Sequence, residues 1–244
     1  IEREAIGWQL NLPGSRKSSL KDFNVAIWSN DEMAPVSKDI SQRCEEVGKN
    51  LASAGANVSY TAKPDHDFLK GEINYQLLLQ SVMQSGMSDD EFKKIEEIAS
   101  NLDKNDLSAE AILARGTVLS HRNWIRQNYA REQIKISWSK FFQEWDILIC
   151  PQLATTAIKH DHGKISERTI MIDNQEQRFF QQIFWPGLAV NAHLPSTVFP
   201  TGLASDGMPI GLQAIGGAYE DKTTIKFAEL YEQEFKAFVV PNLD

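Results

Sequence analysis

The chain has 244 residues, 42% hydrophobic and 24% charged, and its 25 Lys and Arg against 33 Asp and Glu leave a net charge of -8. That length carries a normal buried core as one large or two small domains, and the acidic balance argues against a nucleic-acid partner, whose footprint would be basic. No apolar run approaches the roughly 20 residues that cross a bilayer, so no membrane partner is expected, and two cysteines exclude a disulfide scaffold and fit a cytoplasmic location.

No charged start followed by an apolar stretch marks a secretory signal. Position 1 is Ile, which predicts either processing or a start inside a longer reading frame. Residues 1–19 read as an arm ending in the loop-like PGSRKSS. Residues 20–64 read as a βαβ unit. FNVAIW (Phe23 to Trp28) has strand length and composition. Val36, Ile40, Cys44, Val47 and Leu51 then fall at steps of three and four on one helix face, the glycine of SAGAN stops the helix, and NVSY (Asn57 to Tyr60) is a second strand.

Residues 65–144 read as helical. EFKKIEEIASNL and HRNWIRQNYAREQIKISWSKFFQEW both carry the helical period, and Trp124, Ile134, Trp138, Phe141 and Trp145 form a bulky stripe that reads as a buried face. Residues 145–244 complete a core of strand, hairpin and helix. WDILICP is a continuous apolar strand of the kind buried between helix layers. Ala157 to Gln177 is polar and loop-like, with a small hairpin in RTIMIDN. STVFPTG and PIGLQAIGG are two strands joined by a turn at Asp206-Gly207, and Asp221 is expected to cap a last helix with Ile225, Ala228, Tyr231 and Phe235 inward. The fold class is α/β, a mixed and largely parallel sheet wrapped by helices.

The residues offer few self-standing catalytic motifs. There is no G-x-S-x-G elbow, no P-loop and no G-x-G-x-x-G. The one S-x-x-K match, Ser137 to Lys140, sits beside Trp138 and Phe141 on a packed helix. Cys150 and Cys44 read as small buried hydrophobes, because a thiol nucleophile needs a nearby base, which His121 or His160 would supply only through long-range folding. In His160-Asp161-His162, adjacent ligands point apart and no second His or Cys group supports a metal; a hydrogen-bonding loop at a pocket mouth is the expectation, with no metal and no cofactor. The sequon Asn57-Val-Ser59 matters only in a secretory compartment.

From Trp185, WPGLAVNAHLPSTVFPTGLASDGMPIGLQAIGGAYEDKTTIKFAELYEQ resembles the C-terminal block of the amidase signature family. Leu194, Pro195, Pro200 and Gly202 stand where that family has its LPxxxxPxG strand. Gly207 stands at the glycine turn, Pro209, Gly211, Gln213, Ile215 and Gly216 in its xPxGxQxIG strand, and Asp221 at the acidic opening of its helix. HRNWIRQNYAREQIKISWSKFFQEWDILICP resembles the family's helix-then-strand stretch, and FNVAIW through NVSY its βαβ unit. The similarity spans nearly the whole chain and is weakest between Asp65 and Ile112.

The resemblance implies an amidase-signature-like fold that is incomplete. Family members hydrolyse amides with a Ser-Ser-Lys triad carried in the N-terminal half of their chains. Nothing here resembles that segment, so no catalytic residue is assigned and this chain alone is expected to be inactive. The resemblance assigns Phe184, Trp185, Leu188, Val190 and Asn191, just before the LPxxxxPxG strand, to the lining of an acyl-binding channel; simple packing of Phe184 and Trp185 is the alternative. Such a lining favours an apolar acyl or aryl amide as the small-molecule substrate. Sheet strands lacking their partners predict either pairing with a second copy through an exposed sheet edge or a sizeable exposed apolar face. Two other readings stand beside the hydrolase. One is a non-catalytic α/β module that binds a ligand or partner. The other is an amidotransferase A-type subunit, acting on glutamine beside a tRNA-binding partner.

Overall fold

A computed structural model describes residues 2–163 and 167–241. In chain order its elements are α1 (Glu2–Ala5), β1 (Asn24–Ile27), α2 (Lys38–Ser53), β2 (Asn57–Ser59), α3 (Phe68–Met83), α4 (Asp89–Asn101), α5 (Ala109–Thr117) and α6 (His121–Glu144). They continue with β3 (Ile147–Pro151), β4 (Thr169–Ile172), β5 (Gln175–Arg178), α7 (Phe184–Ala192), β6 (Ser196–Leu203), β7 (Pro209–Ile215) and α8 (Asp221–Phe235). The chain divides into two compact units. The first comprises Ile1–Lys63, Ser139–Ala189 and His193–Asp244; the second comprises Pro64–Trp138 and Val190–Ala192.

The first unit is built on a five-stranded sheet in the order β2-β1-β3-β7-β6. β1 runs parallel to both β2 and β3, whereas β7 is antiparallel to β3 and β6. The parallel part is the expected βαβ unit. Ser37 caps α2 by accepting from the Ile40 amide, and Ile40, Cys44, Val47 and Leu51 are buried along one face. Gly55, at φ +90°, turns the chain out of that helix into β2, a conformation that an L side chain resists. Every residue of β3 is buried, as a strand covered on both faces requires. β6 and β7 form a hairpin whose turn carries Gly207 at φ +84°. Alternation sends Phe199, Leu212 and Ala214 to the face that α8 covers, where Phe199 meets Phe227 and Tyr231 edge to face, and sends Gln213 to the other.

The polar stretch expected to hold a hairpin does so. β4 and β5 pair antiparallel around Asp173 and Asn174, both at positive φ, a conformation these two residue types tolerate in tight turns; residues 164–166 of that stretch lie outside the described residues. Two expectations for α8 are corrected. Asp221 is its first helical residue rather than its cap, which is Glu220 and makes no side-chain capping bond. Its inward face is Thr223, Thr224, Phe227 and Tyr231, while Ile225 is 58% exposed. Thr224 claims the inward position because its hydroxyl bonds Thr197 on β6, and the neighbouring Ile225 is then rotated about 100° away.

The second unit is helical, with α3, α4 and α5 capped by Asp67, Ser88 and Ser108. The expected stripe on α6 is only partly buried. In this unit Trp138 is buried while Trp124 and Ile134 are half-buried; Phe141, buried, and Trp145, half-buried and just past α6, belong to the first unit.

Candidate functional site

The motif residue Gln213 is the hub of the first unit's site region. Its Nε2 donates to the backbone oxygen of Pro151 at 2.9 Å and to that of Trp185 at 2.8 Å, and its Oε1 accepts from Ser196 Oγ at 2.9 Å. One fully buried side chain thus joins the end of β3, the first turn of α7 and the start of β6. Its donors and one acceptor are all used, which makes its burial tolerable. Trp185 adds a second tie, its indole N–H donating to the Ala34 oxygen at 3.0 Å. Trp28, at the end of β1, packs edge to face against both Phe184 and Trp185. The Lys63 ammonium lies 4.0 Å from the centre of the Trp28 ring and 3.6 Å from Asp31.

The five residues assigned to the acyl channel therefore divide. Phe184, Trp185 and Leu188 are buried in the first unit, where they seat α7. Val190 and Asn191 belong to the second unit; Val190 is 57% exposed and Asn191 is buried. Within that unit Asn191 Nδ2 donates to the Gly71 oxygen and to Asn74 Oδ1, each at 3.3 Å. Asn74 in turn donates to the backbone oxygen and the side-chain oxygen of Gln127, at 2.8 and 3.0 Å.

The other candidates resolve as follows. Ser137, of the S-x-x-K match, is buried with Oγ 3.2 Å from His66 Nδ1, whereas Lys140 is exposed. Burial holds the His66 pKa below its usual value, against the pull of Asp65 and Asp67. Burial pushes both Cys44 and Cys150 thiols well up from their ordinary values, the opposite of what a nucleophilic thiolate needs. His160 and His162 are exposed, with ring centres 6.3 Å apart. Among the described residues no group of three His, Cys, Asp or Glu side chains gathers as a metal site.

Sequence reasoning did not foresee the His66–Ser137 pair or the Asn74–Gln127 link, whose partners lie 71 and 53 residues apart. Asn74 gave no distinct signal, because α3 carries Glu72, Gln76 and Gln80 beside it. For Gln213 the signal was a polar residue in the middle of a strand otherwise apolar along PIGLQAI.

A family model described as Amidase matches residues 9–225. The A-type subunit of the glutamyl-tRNA(Gln) amidotransferase of Thermosynechococcus vestitus is 32% identical over 111 residues, which is 45% of this chain and 21% of that protein. Among solved structures, a bacterial aryl acylamidase of the amidase signature enzymes superposes with a TM-score of 0.62 at 16% identity, over 87% of this chain and 44% of that one. The corresponding amidotransferase subunit of Thermotoga maritima superposes with a TM-score of 0.63 at 16% identity, over 93% and 46%. The match thus spans about a fifth of that curated relative and under half of each solved chain.

Proposed function

The chain belongs to the amidase family, and on that basis we propose that the protein it represents hydrolyses amide C–N bonds, with these 244 residues supplying sheet core and part of a substrate pocket. The observation that carries this reading is the family match over residues 9–225, which includes the β6–β7 hairpin and its Gln213 tie to α7. The bond-breaking groups belong to a segment outside these residues, as the solved chains of about twice this extent suggest.

In the chemistry that the resemblance implies, a serine Oγ bonds to the amide carbon. Its proton passes through a bridging serine to a neutral lysine and then to the departing amine. Water next releases the acyl group and restores the serine. The part proposed for this chain is binding. Phe184, Trp185 and Leu188, which anchor α7 within the first unit, contribute to an apolar acyl or aryl pocket. The cytoplasmic setting is proposed on cysteine usage alone. No helix among the described residues is long and apolar enough to cross a membrane.

The curated relative favours a second reading, in which the parent is an A-type amidotransferase subunit acting beside a partner. One experiment separates activity from its absence. Hydrolysis of an aryl anilide and of glutamine is measured with this chain and with the product of its complete genomic reading frame. The hydrolase reading expects anilide turnover from a longer product alone. Turnover of glutamine alone moves the assignment to the amidotransferase, and no turnover of either by a longer product removes both.

A further inference from the structure

In the first unit β4 and β5 pair only with each other, outside the five-stranded sheet. A two-stranded ribbon with four residues a side is marginal unless something holds it. Alternation along β4 buries Ile170 and Ile172 and turns Thr169 and Met171 to solvent, whereas β5, from Gln175 to Arg178, is polar and buries nothing. Three hydrogen bonds tie the stretch from the hairpin's tip to α7 onto residues 33–38, where the chain leaves β1 for α2. Asp173, at the tip, accepts from the Lys38 amide through Oδ2 at 2.6 Å. Gln181 Nε2 donates to the Met33 oxygen at 2.9 Å, and the Trp185 indole to the Ala34 oxygen at 3.0 Å. The first two bonds are exposed and the third is buried, so water competes for the hold at the tip and not at the root.

Lys38 is the first residue of α2, so its N–H has no partner inside the helix. The Ser37 hydroxyl takes the Ile40 amide, and the Asp173 carboxylate takes that of Lys38, where the helix dipole favours a negative charge. We propose that the β4–β5 hairpin is a flap. Its root is the buried Trp185 bond, its hinge the short helical turn from Phe179 to Ile183, and its latch the Asp173 carboxylate on the first amide of α2. Opening lifts Ile170 and Ile172 off the body and uncovers apolar surface at the root of α7, which makes the hairpin a gate to that surface. The inference goes beyond the proposed hydrolysis and does not depend on it.

The test follows backbone amide exchange in the whole chain, in Lys38→Pro, in Asp173→Gly and in the double variant. Proline at the first helical position removes only the amide, and Ser37, at φ -61° and ψ 154°, already has the backbone that precedes a proline. Glycine takes the +46° φ of Asp173 without strain. Each single substitution is expected to speed exchange in residues 169–178 about fivefold, the worth of one capping bond, with β3 and β7 unchanged. The double variant is expected to match either single one. The thiol introduced by Ile172→Cys reports the uncovering itself: a disulfide reagent is expected to label it faster by the same factor once Lys38→Pro is added. Unchanged hairpin exchange, equal acceleration in the sheet core, effects that multiply in the double variant, or labelling indifferent to the latch would each overturn the proposal. Asp173→Gly is judged against the same core amides if Lys38→Pro does not fold. No substrate enters these measurements, so a failure of the hydrolase reading is seen only in the separate activity assay.

Discussion

Gln213 donates from one nitrogen to the carbonyls of Trp185 and Pro151, at 2.8 and 2.9 Å, so one side chain of β7 ties the first turn of α7 to the end of β3. Replacing it with leucine keeps the volume and strands two buried carbonyls and the Ser196 hydroxyl. We expect Gln213→Leu to cost about 2–3 kcal/mol in urea unfolding. A loss no larger than that of an exposed Gln→Leu control at Gln233 would mean that the bridge carries no weight.

Both thiols are buried and their pKa values raised by burial, so their thiolates are scarce at ordinary pH. A disulfide reagent at about pH 8 is expected to label neither Cys44 nor Cys150 in the folded chain and both once denaturant is added. Rapid native labelling of Cys150 would revive it as a nucleophile.

Much of the first unit is legible in the sequence because its elements bury whole faces. The three-and-four spacing from Ile40 to Leu51, the apolar run into Pro151 and the Asp206-Gly207 turn each report a local period or a local backbone need, although Val36, read as part of that face, lies before the cap Ser37. The misreadings occur where a polar contact overrides pattern. Thr224 takes the inward place on α8 through its bond to Thr197, and that choice turns Ile225 outward. The site region is less legible for the same reason. The direction of the Asn191 amide depends on Gly71 and Asn74, over a hundred residues away, which no periodicity records. Phe184 and Trp185 are visible as apolar residues, but only their packing on Trp28 reveals that they act as anchors.

His66 titrates below its usual value because burial penalises its charged form. A depressed folded pKa contributes stability that is present above the unfolded value near 6.5 and is lost as pH falls through the folded one. Unfolding midpoints are therefore expected to drop as pH goes from about 7 toward 5, with His66→Asn flattening part of that slope. Asp65, Asp67 and the Ser137 hydroxyl are the groups facing this ring whose influence the comparison includes. An unchanged slope in the variant would assign the pH dependence elsewhere.

At the sheet's borders lie β2, three residues long, and β6, whose outer face exposes Val198 and Leu203. Ile6, Trp8 and Leu10 of the arm are exposed as well. Pro200 and the register shift beside it interrupt the β6 edge, and such features discourage strand addition. Apolar surface is therefore the larger effect: we expect strong binding of a hydrophobic dye, and self-association with rising concentration. Light scattering that shows a monomer, together with no dye binding, would refute the claim that these surfaces are built to be covered.

The central claim is that this chain helps form a pocket without holding the groups that cleave the bond. It is tested most directly by incubating the purified 244-residue protein with a chromogenic aryl anilide at neutral pH and following amine release. The account predicts a rate indistinguishable from buffer. Release proportional to protein, surviving repurification and abolished by substitution of a serine within these residues, would contradict it.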